Sequence, residues 1–255
     1  MVNIKFTLIF LLGLLTVSCN KEEEKPVIPP FAKGTIFMDP DIITEEDKTT
    51  FASLSYAGQG KRTMYDHRVD KSLTLSPYLF NSFYEDGLSF EIQINPEFKD
   101  SVKAKEIALK YAEIIGRLPT DLRIDLETIT IHDGVEYFRG GYKGIWIYAG
   151  QSSYYESDGI LEEVFVHEGS HVSLDQKYAP SREWVNAQEL DGNFISHYAR
   201  DFFRREDMAE SFLAYMALRY RSDRIAQSSK DKILETIPNR IQFFDDLNLN
   251  MYPIE

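Results

Sequence analysis

In the segment His167-Glu168-Gly169-Ser170-His171, two imidazoles stand four residues apart with an acid next to the first. Four-residue spacing puts both histidines on one face of a helix, where they can share one ion. Zinc takes neutral imidazoles and anionic oxygens in a roughly tetrahedral shell, and a catalytic site keeps one position open for water. Glu168 would then reach the water's side, where it can take a proton and later pass it to a leaving amine. The preceding Leu161-Glu162-Glu163-Val164-Phe165-Val166 supplies an apolar face that anchors such a helix in a core.

A third ligand must come from elsewhere in the chain. The metzincin arrangement needs a histidine or aspartate six residues after the second histidine, and Lys177 at that position excludes it. Asp175 follows His171 by four residues and is placed to brace the helix or its imidazole. Glu206 and Glu210 are also four apart, with the small Ala209 between them allowing a close approach to the motif helix. One carboxylate can bind zinc while the other accepts a histidine N–H, and spacing alone leaves open which does which.

These residues resemble the gluzincin metallopeptidases related to the catalytic domain of anthrax lethal factor. The likeness is carried by His167-Glu168-Gly169-Ser170-His171, then Tyr198, then Glu206-Asp207-Met208-Ala209-Glu210. It is specific over residues 160–215 and thin before that, and Ser196-His197-Tyr198-Ala199-Arg200-Asp201 followed by Glu206 to Tyr215 also resembles a group of uncharacterised secreted bacterial zinc peptidases. It implies that Glu206 is the third ligand, Glu210 its outer partner and Tyr198 the donor to the oxyanion. Tyr198 lies eight residues before Glu206, about one more than the family spacing, and its neighbour His197 is the rival for that role. The resemblance thus implies one Zn2+ per chain, a peptide or protein substrate, and hydrolysis by metal-activated water with Glu168 as base. The alternatives are a surface lipoprotein that binds a glycan or protein around a structural zinc, and a zinc hydrolase acting on a non-peptide amide or ester.

The elements that must position these groups are partly legible. Leu88 to Ile94 alternates as a strand, and Asp100 to Leu118 repeats apolar residues at helical spacing up to Pro119. Leu126 to His132 and Ile145 to Tyr148 read as strands, the second expected along the cleft where an extended peptide could pair with it. Helices are expected over 160–174, over 206–220 and, as one element, over 230–247. Strands followed mainly by helices predict an α+β, zincin-like domain with a small mixed sheet, an active-site helix and a mostly helical C-terminal half. Residues 31–87 carry no legible element, and their role, a cover over the cleft included, stays open. His67 and His132 are expected to be ordinary surface or hydrogen-bonded histidines, while Trp184 and Tyr154-Tyr155 are candidates for lining the cleft.

Lys5 and the apolar run Phe6 to Val17 read as a targeting segment, too short to span a bilayer. Leu15-Thr16-Val17-Ser18-Cys19 resembles a bacterial lipobox, with Thr16 standing where leucine is usual. Cys19 is the chain's one cysteine, so no internal disulfide or thiolate zinc site is possible. The expected organisation is a lipoprotein signal peptide over 1–18, a charged and Pro-rich tether over 19–33, and a zinc peptidase domain over 34–255. Lipidation at Cys19 would anchor the domain to the cell envelope, at the outer membrane and with surface exposure suggested by the acidic run after the cysteine. The formal net charge of −13 excludes an extended phosphate-binding face and therefore nucleic acid. It favours solubility and, at most, a weak preference for basic substrates.

Overall fold

The computed structural model describes residues 27–255. The targeting segment, Cys19 and the start of the tether lie outside the described residues. No helix within them is long and apolar enough to cross a membrane.

The chain is α+β. Its strands are β1 (Phe51–Gln59), β2 (Arg62–Asp66), β3 (Lys71–Leu75), β4 (Tyr78–Tyr84), β5 (Ser89–Ile94), β6 (Thr128–His132), β7 (Arg139–Gly141) and β8 (Gly144–Tyr148). Six of them form one mixed sheet in the order β1-β4-β5-β6-β8-β7, and β2 pairs with β3 in a separate hairpin. The β5–β6 and β6–β8 pairs are parallel and the others antiparallel. Isoleucines stack across the centre, with Ile92 opposite Ile129 and Ile129 opposite Ile145, then Ile94, Ile131 and Ile147 one pleat on. All six are buried, and each fully buried isoleucine contributes about 1.5–3 kcal/mol.

Helix α1 (Ser101–Ile115) packs on β4 and β5, and the short α2 (Thr120–Arg123) leads into β6. Asp100 caps α1 by accepting from the Val102 N–H at 2.9 Å. After β8 come α3 (Ala149–Ser157) and α4 (Leu161–Ser173), the motif helix, which packs against β7 and β8. The rest is helical: α5 (Asp175–Tyr178), α6 (Arg182–Asp191), α7 (His197–Asp201), α8 (Asp207–Tyr220), α9 (Gln227–Thr236) and α10 (Pro238–Leu247).

The structure departs from the sequence reading at four places. The single helix expected over 230–247 is two, because Pro238 ends the first and opens the second. Residues 31–87 supply four strands, two of them in the main sheet. Strand β1 alternates poorly because Ala52, Ser53, Ser55, Ala57 and Gly58 give it little apolar contrast. The strand Ile145 to Tyr148 is interior, and β7 occupies the sheet edge. Finally, the folded body begins before residue 34: Phe31 N–H donates to the Ile195 carbonyl at 3.3 Å, and His197 N–H to the Phe31 carbonyl at 3.0 Å.

Glu163, in the first turn of α4, is fully buried. Its Oε1 accepts from the Ile43 N–H at 2.9 Å, while Oε2 has no partner among the described residues. Burial pushes its pKa up to about 8. A carboxyl whose pKa is raised on folding contributes stability present below its unfolded value, near 4.5, and lost as pH rises through 8. Glu163→Gln removes that titration. The stability of the variant minus that of the parent should therefore climb between these pH values, by an amount on the order of a few kcal/mol. Denaturant unfolding across this range measures it, and a difference that stays flat with pH would mean Glu163 is ionised throughout.

Candidate metal centre and cleft

Helix α4 presents His167 and His171 on one face, as the four-residue spacing predicts. Glu206 closes the group from the start of α8. Its Oε2 lies 3.3 Å from His167 Nε2 and 3.2 Å from His171 Nε2, and the two nitrogens are 3.2 Å apart. Ligands at about 2.05 Å in a tetrahedral shell stand roughly 3.3 Å from one another, so this triangle matches three corners of such a shell. His167, His171 and Glu206 form a group that could hold a metal ion.

The three groups hold one another in their charged forms. Burial works against a protonated imidazole at His167, yet the Glu206 carboxylate, together with Glu168 and Glu210 nearby, outweighs it and raises its pKa. Asp175 and Glu206 together hold His171 well above its ordinary value against the same burial. Burial would also raise the Glu206 pKa, but the two histidines overcome it and hold the carboxylate ionised far below its usual range.

The surrounding residues fix these three side chains. His171 Nδ1–H donates to Asp175 Oδ2 at 2.7 Å, which leaves Nε2 facing the cluster. Helix α4 ends at Ser173, so Asp175 acts from the first residue of α5 and not from the motif helix itself. Asp207, next to Glu206, is locked by Arg240 Nε at 2.9 Å and Gln188 Nε2 at 2.7 Å, which sets where α8 begins. Arg240 also reaches Asp191 at 2.9 Å, tying α6, α8 and α10 together behind Glu206.

Glu210 stands on the other side of His167, with Oε1 3.5 Å from Nδ1. Its Oε2 accepts from the Thr35 N–H at 2.7 Å and the Ser196 hydroxyl at 2.6 Å. Gly34 leaves no room for a side chain here, since an added Cβ would sit 2.8 Å from Glu210 Oε1. Residues 34 and 35, directly after the expected tether, are therefore part of the centre's support, and nothing in their local sequence signals this.

Glu168 is buried, which raises its pKa despite the nearby histidines. Strand β7 lies so close to α4 that a Cβ on Gly140 would come within 2.0 Å of the Glu168 carbonyl oxygen. Two cavities meet at His167, Glu168 and Tyr198. One, of about 470 Å³, is lined by Ile36, Phe37, Tyr137, Phe138, Tyr155 and Val164. The other, of about 400 Å³, runs past Arg139, Tyr142, His171 and Arg205. Residues 32–37 thus form a wall of the first cavity rather than a cover over the whole cleft.

Tyr198 is brought to the cluster, with its ring centroid 6.4 Å from that of His167, and it lines both cavities. Burial and the Glu206 carboxylate raise its pKa and keep the phenol protonated. Its rival His197 lines only the first cavity. Of the other candidates, Tyr155 lines the first cavity, and Trp184 is buried against Phe243 and Phe244. His132 is fully buried and satisfied, accepting from Asn95 Nδ2 at 2.8 Å and donating from Nε2 to the Tyr65 carbonyl at 3.0 Å.

No protein-family model, curated protein or solved structure matches the chain, so the reading of this centre rests on its own geometry.

Proposed function

We propose that the chain is a zinc-dependent peptidase of gluzincin type, with His167, His171 and Glu206 as ligands. The observation that carries this reading is the triangle of donors with 3.2–3.3 Å edges, with Glu168 buried in the same cleft. A zinc ion there would supply Lewis acidity, polarising the scissile carbonyl and making a water acidic at neutral pH.

The chain's own groups do the rest. Glu168 takes the proton of the attacking water and delivers it to the departing amine, and its raised pKa suits a base that must give the proton back. Tyr198, held protonated, donates to the carbonyl oxygen as negative charge builds there. The β7 edge supplies backbone N–H and C=O groups for an extended substrate, the task the sequence assigned to the neighbouring strand. Asp175 braces His171 through a hydrogen bond, and Glu210 faces His167 Nδ1 at 3.5 Å. Three converging donors, with Glu168 and Tyr198 beside them, favour hydrolysis over a structural zinc with four protein ligands.

Metal analysis and a peptide-cleavage panel, before and after treatment with 1,10-phenanthroline, test the proposal. The expected result is one zinc per chain, cleavage lost on chelation, and cleavage regained on adding zinc back. Cleavage indifferent to the chelator, or a protein that holds zinc and cleaves no peptide, would sink it.

A further inference from the structure

The cleft has two unlike ends. Beyond the catalytic cluster, on the side away from the apolar cavity, Arg139, Arg204 and Arg205 line one wall region. This concentration of positive charge is set in a chain of formal charge −13. Arg204 makes no ion pair among the described residues, and the nearest acid to Arg139 is Glu136 at 4.0 Å. Arg205 reaches Glu206 Oε1 at 3.4 Å and remains largely exposed. Three carboxylates line this side: Asp175 pairs with His171, Glu206 with both histidines and, through Oε1, with Arg205, and Glu168 is buried. The charge presented outward to a substrate is therefore positive.

The arginines are also propped in place. The Arg204 guanidinium lies 5.5 Å from the centre of the Phe203 ring, and that of Arg205 lies 5.5 Å from Phe202. Phe202 and Phe203 are 47% and 46% exposed, in the short connection between α7 and α8. Their stacking under the arginines gives these otherwise exposed aromatics a role.

Resting on the peptidase reading, we propose that this cleft selects peptides with an acidic side chain on one side of the scissile bond, recognised by Arg139, Arg204 and Arg205. The guanidinium fork matches a carboxylate geometrically and engages it with two parallel hydrogen bonds. A positive cleft wall also concentrates anionic substrates near the catalytic cluster. The balance runs opposite to the one the net charge implies, because the three arginines line the cleft while the acidic excess is spread over the rest of the molecule. A lipid surface is the weaker fit: Arg139 comes from β7, and the three groups line a concave wall shared with His171 and Glu168 rather than a projecting patch.

The test uses a set of quenched fluorescent peptides identical except for Glu, Gln or Lys at successive positions around an apolar residue, with cleavage sites read by mass spectrometry. The zinc-loaded protein should show kcat/KM at least ~10-fold higher for the Glu peptide than for the Lys peptide at its best position. That ratio should shrink as ionic strength rises. In R204E/R205E the ratio should invert, with zinc content and melting temperature reporting that the variant has folded. Arg204→Gln, which leaves the contact between Arg205 and Glu206 in place, should give a partial loss of preference should the double variant fail to fold. Equal cleavage of all three peptides by the wild type overturns this proposal and leaves the peptidase reading standing. No cleavage of any peptide overturns both. Binding to phosphatidylserine vesicles that R204E/R205E abolishes, with the peptide ratio unchanged, would show that the arginines serve a membrane surface and overturn the proposal.

Discussion

Glu168→Gln should lower kcat by a factor of about 100 to 10,000, the usual contribution of a positioned acid–base group. Zinc should stay bound. Glutamine keeps the shape of the side chain and removes its ability to carry a proton, and Glu168 is not one of the three converging donors. Because the Glu168 carboxylate is buried and its ionised form is disfavoured there, the neutral amide should not destabilise the helix. KM should change little, since the loss falls on proton transfer rather than on binding. The measurement is steady-state cleavage beside metal analysis on the same preparation. A variant that holds one zinc and still cleaves within a few-fold of the parent would assign the base to another group.

The second large effect concerns the carboxylate that completes the centre. Glu206→Ala removes the one anion that lies within 3.3 Å of both imidazole Nε2 atoms. Two histidines alone cannot balance a divalent charge in a buried site, so the variant should lose its metal on dialysis against a weak chelator and lose all cleavage. It should also lose the part of its thermal stability that comes from metal binding, which can reach several kcal/mol for a tightly held ion. Glu210→Gln is the control. Its carboxylate faces His167 Nδ1 and is held by Thr35 and Ser196. Loss of such a support costs metal affinity or activity about 10–100-fold without emptying the site. If the Glu206 variant kept its zinc while the Glu210 variant lost it, the two roles would be exchanged.

These expectations divide unevenly between sequence and structure. The pairing of His167 with His171 follows from helical periodicity alone, because four residues advance a helix by about one turn wherever it is placed. Glu168, the apolar face of α4, and the spacing of Glu206 and Glu210 are likewise local facts. So are the strands near 88–94 and 126–132, each apolar enough to show its period. Spacing left open which carboxylate meets the histidines, and the resemblance to known peptidases favoured Glu206. Packing of α8 against α4 brings Glu206 Oε2 to both Nε2 atoms and Glu210 to the opposite ring nitrogen.

What the sequence could not show depends on contacts between distant segments. Thr35 reaches Glu210 across 175 residues of chain, with Gly34 beside it, and no periodicity encodes such a meeting. The edge position of β7 arises from sheet order, and its three residues are too few to display a strand pattern. The break at Pro238 was written in the chain but hidden by apolar residues that keep helical spacing through it. The charge of the cleft was invisible for a different reason. Net charge sums over the whole surface, whereas recognition depends on which groups a fold turns inward, and only the tertiary structure brings Arg139 of β7 to the same cavity as Arg204 and Arg205. By itself the sequence determined the chemistry of two histidines and an acid on one helix face, because that chemistry is local. The contact of Glu206 with the two histidines, the braces behind it and the sign of charge along the cleft were decided by tertiary packing, because each is a distance between parts of the chain that only folding brings together.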